Sequence, residues 1–358
     1  MTRVAHYVER WLDLSAGFVA EHVARSRHRH VVISRDGWEN LAAFPARPRV
    51  SLHHLRDRVP ERAKANVLRL ELAATLTAYQ CSLVHVHFGY AARDVVPHLR
   101  RRRFVLSLHG HDATALAKAD PARYAEVAPV TDAVVVPSMA LARDAEKAGF
   151  DPARLHVIPA GVDTDFFTAT PLPDGAPTVA FVGRFVPKKG LDVLLDAWPA
   201  IRSETPGAQL LLLGSGPLEH LIPEDPSIRR IPPQPNRRRA QVREVLRSAT
   251  VVATPSHTSP DGDKESLLLV NLEAGASGRP VVSTRHGGIP EYVEDGRTGL
   301  LVDEAEPDAF ATAVIQVLND RDLATSLGRN AVDHVAQWDV RRCTARVDEL
   351  YDSLLAKP

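Results

Sequence analysis

The stretch D-G-D-K-E-S-L-L-L-V-N-L-E-A-G-A-S-G-R-P-V-V-S-T, from Asp261 to Thr284, decides how this chain is read. Glu265 and Glu273 stand eight residues apart, with an apolar block from Leu267 to Val270, then Leu272, between them. A helix over Ser266–Ala276 is expected. Eight residues at about 100° each return nearly to one azimuth, so both carboxylates would face the same cleft if Glu265 lies at the helix N-terminus. Asp261 and Asp263 precede the helix, where acids suit its dipole. Small residues from Ala274 would let it press against a sheet, and Gly278-Arg279-Pro280 would stop it. Two acids on an exposed helix are ordinarily a solvated face. This helix is too apolar between its acids for that, and reads as buried with its N-terminus open to a ligand.

The 358 residues suffice for two domains of ordinary size, with the hydrophobic (44%) and charged (25%) shares of a globular protein. Formal net charge is zero, so composition carries no nucleic-acid footprint. The charge is uneven: residues 1–170 hold 23 Lys+Arg against 18 Asp+Glu, leaving 21 against 26 of the totals of 44 for the remainder. A basic front half fits an anionic acceptor or peripheral contact with the inner face of a cell membrane. Cys81 and Cys343 lack any metal-ligand spacing and suggest a reducing compartment. No run approaches a membrane span and no signal-type core follows Met1, so a cytoplasmic location is expected.

Short β-branched runs alternate with helical patterns along the whole chain. In the first half Arg3–Val8, His30–Ser34, Arg49–His53, Leu83–Phe88, Phe104–Leu108, Ala133–Pro137 and Leu155–Pro159 read as strands. In the second half Thr178–Val182, Leu210–Leu213, Arg229–Ile231, Val251–Thr254, Val281–Ser283 and Gly299–Val302 do so. Helices are expected over Leu191–Ser203, Ala240–Ser248 and about Val340–Leu355. Residues 167–176, with Pro171 and Pro173, read as a linker. The expectation is α/β architecture with two doubly wound parallel-sheet domains facing a cleft: residues 1–170, residues 171–338, and a terminal helix over 339–358.

G-R-F-V-P-K-K-G, Gly183 to Gly190, follows the first strand of the second half. Gly183 permits a sharp exit, and Arg184 and Lys189 would sit at the carboxyl edge of the sheet. Gly190 would open a helix whose amides attract an anion, so the group reads as a diphosphate site. Gly214 and Gly216 would let backbone approach a ligand, and Gly287 and Gly288 could present amides to the cleft. In the first half His85 and His87 end one strand, and His109, Gly110, His111 and Asp112 end another. Paired histidines raise the question of zinc, but no third and fourth ligand accompanies them in sequence, and no metal is expected. His109 ranks first among them because it lies at a ligand-binding edge.

These residues resemble the retaining nucleotide-sugar glycosyltransferases of family 4, with the GT-B fold, over nearly the whole chain. The marks are Glu265 and Glu273 as the E-x7-E pair, G-R-x-x-x-K-K-G at 183–190, and V-I-P-A-G-V-D-T-D-F-F from Val157 to Phe167. H-F-G at His87 and S-L-H-G-H-D at Ser107 are most similar to the bacterial polysaccharide-type subgroup. The resemblance implies that Arg184 and Lys189 neutralise the leaving nucleoside diphosphate. It implies that Glu273 binds ribose hydroxyls, Glu265 the donor sugar, and the amides of Ser266, Leu267 and Leu268 sugar or phosphate. His109 would touch the sugar near its reacting carbon, and backbone near Ile231 would read the base. Gly183 and Gly214 complete the donor set. Ser15, Gly17, His87, His111 and Asp112 are the acceptor-side candidates. Configuration would be kept by front-face attack, with the leaving phosphate taking the acceptor proton, so neither metal nor cofactor is required.

Three departures bear on specificity. Ser266 stands where the family commonly has glycine, Ala160 where it often has asparagine, and L-S-A-G-F at Leu14 lacks the Glu and Thr of the subgroup's first loop. The sequence thus reads as a metal-independent hexosyl- or N-acetylhexosaminyltransferase, using a UDP-sugar ahead of a GDP-sugar, with a glycan, lipid-linked or small-molecule hydroxyl as acceptor. The rivals are a nucleotide-sugar epimerase or hydrolase of the same fold, and a non-catalytic nucleotide-sugar-binding subunit.

Overall fold

The computed structural model describes residues 3–10, 17–37, 48–52, 59–96, 102–234 and 237–356. The chain divides into two compact units, Met1–Ala160 with Val340–Pro358, and Gly161–Asp339. Residues 161–170, expected with the first domain, belong to the second because Val162 and Phe167 are buried in its core.

The first unit is a seven-stranded parallel sheet, ordered β3-β2-β1-β4-β5-β6-β7. Its strands are β1 Arg3–Val8, β2 Arg29–Ser34, β3 Arg49–Ser51, β4 Cys81–His87, β5 Arg103–Ser107, β6 Ala133–Val136 and β7 Leu155–Val157. Alternation sorts the side chains. Ala5, Tyr7, Val84 and Val86 face the core built with Leu68, Leu72 and Leu76 of the helix Glu61–Ala78. Val4 and Leu83 face the opposite way, onto Val347, Leu350, Tyr351 and Leu354 of the terminal helix Val340–Leu355. Both cysteines are buried and unpaired with each other.

The second face also carries a histidine cluster. His6 Nδ1 lies 3.0 Å from His87 Nε2, and His6 Nε2 lies 2.8 Å from His30 Nδ1. His85 bridges the Tyr351 hydroxyl (2.5 Å) and Ser107 Oγ (2.7 Å), and His22 Nε2 reaches the same hydroxyl at 3.1 Å. A third potential ligand is therefore present in space: His6, His22 and His85 bring ring nitrogens within 4.8 Å of one another. That envelope compares with an edge of about 3.4 Å for tetrahedral zinc, and the histidines already hydrogen-bond to one another, to Tyr351 and to Ser107.

The second unit is a six-stranded parallel sheet, ordered β10-β9-β8-β11-β12-β13. These are β8 Thr178–Val182, β9 Gln209–Leu213, β10 Ile228–Ile231, β11 Val251–Thr254, β12 Val281–Thr284 and β13 Gly299–Val302. The order reverses between β8 and β11, so the loops leaving these two strands lie side by side at the carboxyl edge, where doubly wound sheets bind ligands. The expected linker is stapled rather than loose. Arg279, fully buried, donates to Thr170 O, Thr170 Oγ1, Pro171 O, Leu246 O and Arg247 O. Gly275 presses against Ala331 and Val335 of the helix Arg321–Val335, so the small residues serve helix–helix contact as well as the sheet. Among the described residues no helix is long and apolar enough to cross a membrane.

Burial holds the clustered imidazoles neutral. It lowers His22 and His30 to about 4, and depresses His6, His85 and His87 well below the ordinary value, with neighbouring imidazoles adding to the effect. In the unfolded chain these groups take up protons as pH falls through about 6.5, whereas the folded unit resists until about 4. Stability should be undiminished above the first value and fall between the two, by on the order of 3–6 kcal/mol. Unfolding midpoints measured between neutral pH and that lower limit should show this drop, and His30→Gln should reduce it. A flat midpoint would contradict the neutral cluster.

Candidate active site

The site is built from loops at the carboxyl edge of the second sheet. Leaving β8, the chain passes Gly183, Arg184 and a short turn to Gly190, which caps the helix Leu191–Glu204 in the left-handed region (φ +69°). A Cβ on Gly190 would lie 1.9 Å from Pro255 O, so only glycine lets this loop meet the one leaving β11. The contact brings two ion pairs together. Lys188 Nζ lies 2.9 Å from Asp263 Oδ2, and Lys189 Nζ lies 2.9 Å from Glu265 Oε1. Arg184 is exposed beside them.

The helix carrying Glu273 begins at Leu269, not Ser266. Glu265 therefore sits in a non-helical segment ahead of it, and the equal-azimuth argument for the two glutamates does not describe the geometry. Tertiary ties hold that segment out of the helix. Glu265 N–H donates to His286 Nε2 (3.0 Å), and Glu265 C=O accepts from Gly288 N–H (3.1 Å). Gly287 has φ +52°, and a Cβ there would lie 2.0 Å from Glu265 O. The Gly288 amide, expected to face a ligand, is thus engaged by Glu265. Ser266 and Leu268 are buried and Leu267 partly so, directly between Glu265 and the helix.

The other glycines also serve loop-to-loop approach. A Cβ on Gly214 would lie 1.9 Å from Gly183 O, and one on Gly216 2.5 Å from Phe185 O. Phe185 N–H donates to Ser215 O at 2.9 Å. These glycines zip the β9 loop to the β8 loop, and Gly183 itself has ordinary room. Ile231 ends β10, where its carbonyl receives Gly214 N–H at 3.4 Å. Gln241, absent from the sequence reading, fastens the following loop by accepting from Gln234 N–H (2.6 Å) and donating to Pro232 O (3.2 Å).

The two glutamates have opposite electrostatics. Burial would raise the Glu265 carboxyl, but the Lys189 and Lys188 charges outweigh it and hold it below the ordinary value. Burial lowers Lys189, and the Lys188 and Arg184 charges lower it further against the pull of Glu265. Burial leads the Lys189 shift and neighbouring cations lead the lowering of Glu265, where three cations, Arg184, Lys188 and Lys189, stand against two acids, Asp263 and Glu265. Such an excess of positive charge suits an incoming anion. Glu273 is raised to about 7 by burial, with Arg238 and Arg239 opposing.

In the first unit, at the carboxyl edge of its sheet, the His109 ring lies 4.7 Å from Phe18, 4.6 Å from Phe88 and 6.1 Å from His87, centroid to centroid. Burial lowers it to about 3, so it is a neutral imidazole. Phe88 carries an unusual positive φ of +75°. Of the acceptor candidates, Asp112 is committed elsewhere: it is buried and accepts from Gly89, His109, Gly110 and Ala113 N–H. His87 is buried against His6, His111 is exposed, and Gly17 begins the helix Gly17–Arg25. Ser15 lies outside the described residues.

Two doubly wound parallel sheets in one chain give the GT-B fold. Residues 16–166 match the Glycosyltransferase Family 4 model and residues 176–320 the model of glycosyl transferases group 1. The chain is 36% identical over 291 residues to a GDP-mannose-dependent alpha-(1-6)-phosphatidylinositol monomannoside mannosyltransferase of Mycolicibacterium smegmatis, covering 74% of this chain and 75% of that one. It is 33% identical over 231 residues to a D-inositol 3-phosphate glycosyltransferase of Corynebacterium glutamicum, a match spanning 58% of this chain and about half (53%) of the relative. Anabaena Alr3699/HepE, solved in complex with UDP-glucose, superposes with a TM-score of 0.77 at 18% identity, covering 99% of this chain and all (100%) of that one. The chain belongs to glycosyltransferase family 4.

The Lys189–Glu265 pair is open to direct test. Lys189→Met leaves a buried carboxylate without its partner and should destabilise the second unit by about 3–5 kcal/mol. Combining it with Glu265→Gln should recover most of that loss, and a double-mutant cycle by chemical denaturation reads the coupling. Additive effects of the two substitutions would show that the pair is not coupled.

Proposed function

We propose that the chain is a retaining, metal-independent hexosyl- or N-acetylhexosaminyltransferase that takes its sugar from a nucleotide sugar, with uridine as the first base to test. The observation that carries this is the excess of cations over acids at the switch point of the second sheet. In the proposed reaction the acceptor oxygen bonds to the anomeric carbon on the face the diphosphate leaves. The carbon–oxygen bond to the diphosphate breaks, and the acceptor proton passes to a leaving phosphate oxygen. Arg184 and Lys189 stabilise the charge that grows on the leaving group. Glu265 holds sugar hydroxyls, Glu273 the ribose, and neutral His109 lies against the sugar. No cofactor enters.

A GDP-mannose donor is the second reading, favoured by the name of the mycobacterial relative. Both relatives' names include an inositol bearing phosphate, so inositol phosphates and phosphatidylinositol derivatives are the acceptors to try first. The basic bias of residues 1–170 suits such anions, and a cytoplasmic protein touching the inner membrane face is part of the proposal. Both relatives are named as transferases, which leaves the epimerase or hydrolase reading and the binding-subunit reading without support.

A thermal-shift screen with UDP, GDP, ADP, TDP and their sugar forms tests the donor site. The matching nucleotide at a hundredfold over its Kd should stabilise the fold by about 2.7 kcal/mol, and Arg184→Ala should abolish the shift. A folded protein that responds to none of them would overturn the transferase reading. A second expectation concerns pH. The ribose hydroxyls donate to the ionised form of Glu273, whose carboxyl titrates at about 7. Nucleotide affinity should therefore rise as pH increases through that value. Calorimetric titration of the wild type against Glu273→Gln should show the rise lost in the variant.

A further inference from the structure

Glu265 is held by more than its lysine. His286 leaves β12 fully buried, 1% exposed, just ahead of Gly287 and Gly288. Its Nε2 is 3.0 Å from the Glu265 backbone nitrogen and its Nδ1 is 3.0 Å from Glu304 Oε1. A backbone N–H can only donate, so Nε2 must accept, and Nδ1 must carry the proton that goes to Glu304. Glu304 is anchored in turn: its Oε2 accepts from Thr258 N–H (2.7 Å) and Thr258 Oγ1 (3.0 Å). In the next peptide group, Glu265 C=O accepts Gly288 N–H. Both hydrogen-bonding groups of Glu265's main chain are thus clamped by His286 and the residue two beyond it.

We propose that His286, oriented by Glu304, is a positioning residue that fixes the Glu265 backbone and so aims the Glu265 carboxylate at the donor sugar. It touches no substrate in this scheme. It keeps Asp263–Leu268 out of the helix, so the helix starts at Leu269 and the carboxylate stays beside Lys189. Without the imidazole the Glu265 N–H loses its buried acceptor, and the segment can turn toward helix. The inference rests on the reading of Glu265 as the residue that holds the donor sugar.

The test compares affinity for a nucleoside diphosphate with affinity for its sugar form: UDP and UDP-glucose, or GDP and GDP-mannose, whichever pair the wild type binds. His286→Leu should leave the diphosphate affinity within about twofold, remove the extra affinity contributed by the sugar, and lower kcat by about 10- to 100-fold. His286→Gln, which keeps an oxygen acceptor near the Nε2 position, should restore most of both. Glu304→Gln, a change at a partly exposed side chain, should give a smaller loss of the same kind and serves if His286→Leu does not fold. A merely structural histidine predicts a different pattern: diphosphate and sugar nucleotide weaken alike, the unfolding midpoint drops, and His286→Gln gives no selective rescue. That pattern, or wild-type behaviour in His286→Leu, overturns the inference. Glu265→Gln is measured alongside. If it keeps the sugar-dependent affinity, the reading of Glu265 falls and this inference with it. If it loses that affinity while His286→Leu retains it, the positioning inference alone falls.

Discussion

The Lys189–Glu265 ion pair is the contact on which the second unit's site depends. It joins the loop after β8 to the loop after β11, the two loops that the reversal of strand order places side by side. Both partners are largely withdrawn from water, and a buried pair is stabilising only where geometry and further hydrogen bonds offset the desolvation. The surrounding structure meets that condition. Gly190 removes the steric bar to Pro255, Lys188 repeats the pairing with Asp263, and the Glu265 peptide is tied on both sides. The net excess of cations then makes the apo site electrostatically incomplete, a state that an arriving diphosphate would correct.

One chemical type does two jobs in this cluster because the environments differ. Glu265 is surrounded by cations that hold its carboxyl below the ordinary value. Glu273, partly buried on the helix that follows, has only the more distant help of Arg238 and Arg239 and titrates at about 7. A group that must hold its position next to a lysine benefits from a fixed charge. In the proposed function Glu273 receives ribose hydroxyls, and such a group gains its charge most readily when a ligand arrives to stabilise it. The separation of the two carboxyls is thus produced by local charge, with the spacing of the sequence motif supplying only the residues.

Much of the architecture was legible because parallel strands buried on both faces leave short β-branched runs, and these agree with the observed strands to within a residue or two at most ends. That the loops carrying Lys189 and Glu265 lie at one sheet edge was legible for a related reason: loops at the carboxyl edge of a doubly wound sheet are where charge and glycine collect. What failed were readings that depended on contacts distant in sequence. Ser266 has helical neighbours, yet the helix waits until Leu269 because His286 and Gly288 hold the Glu265 peptide. The need for glycine at 214 and 216 likewise comes from the β8 loop, a contact that no local pattern announces. Arg279 looked like the end of a helix, although its guanidinium is what fastens residues 170–171. His286 carried one faint signal, its place at the end of a strand before two glycines, and no local pattern could connect it with Glu265.

The first unit contributes chemistry of a different sign. Its carboxyl edge offers His109, a ring held neutral by burial between Phe18 and Phe88. In the proposed transfer the anomeric carbon gains positive charge as the diphosphate departs. A protonated imidazole against that sugar would oppose the change, whereas a neutral one can donate a hydrogen bond without repelling it. The buried column behind His109 makes the neutral state robust, because each further proton would have to enter an apolar layer already crowded with imidazoles. Within the first unit, burial thus keeps His109 an uncharged hydrogen-bonding group, the state the proposed role requires of it.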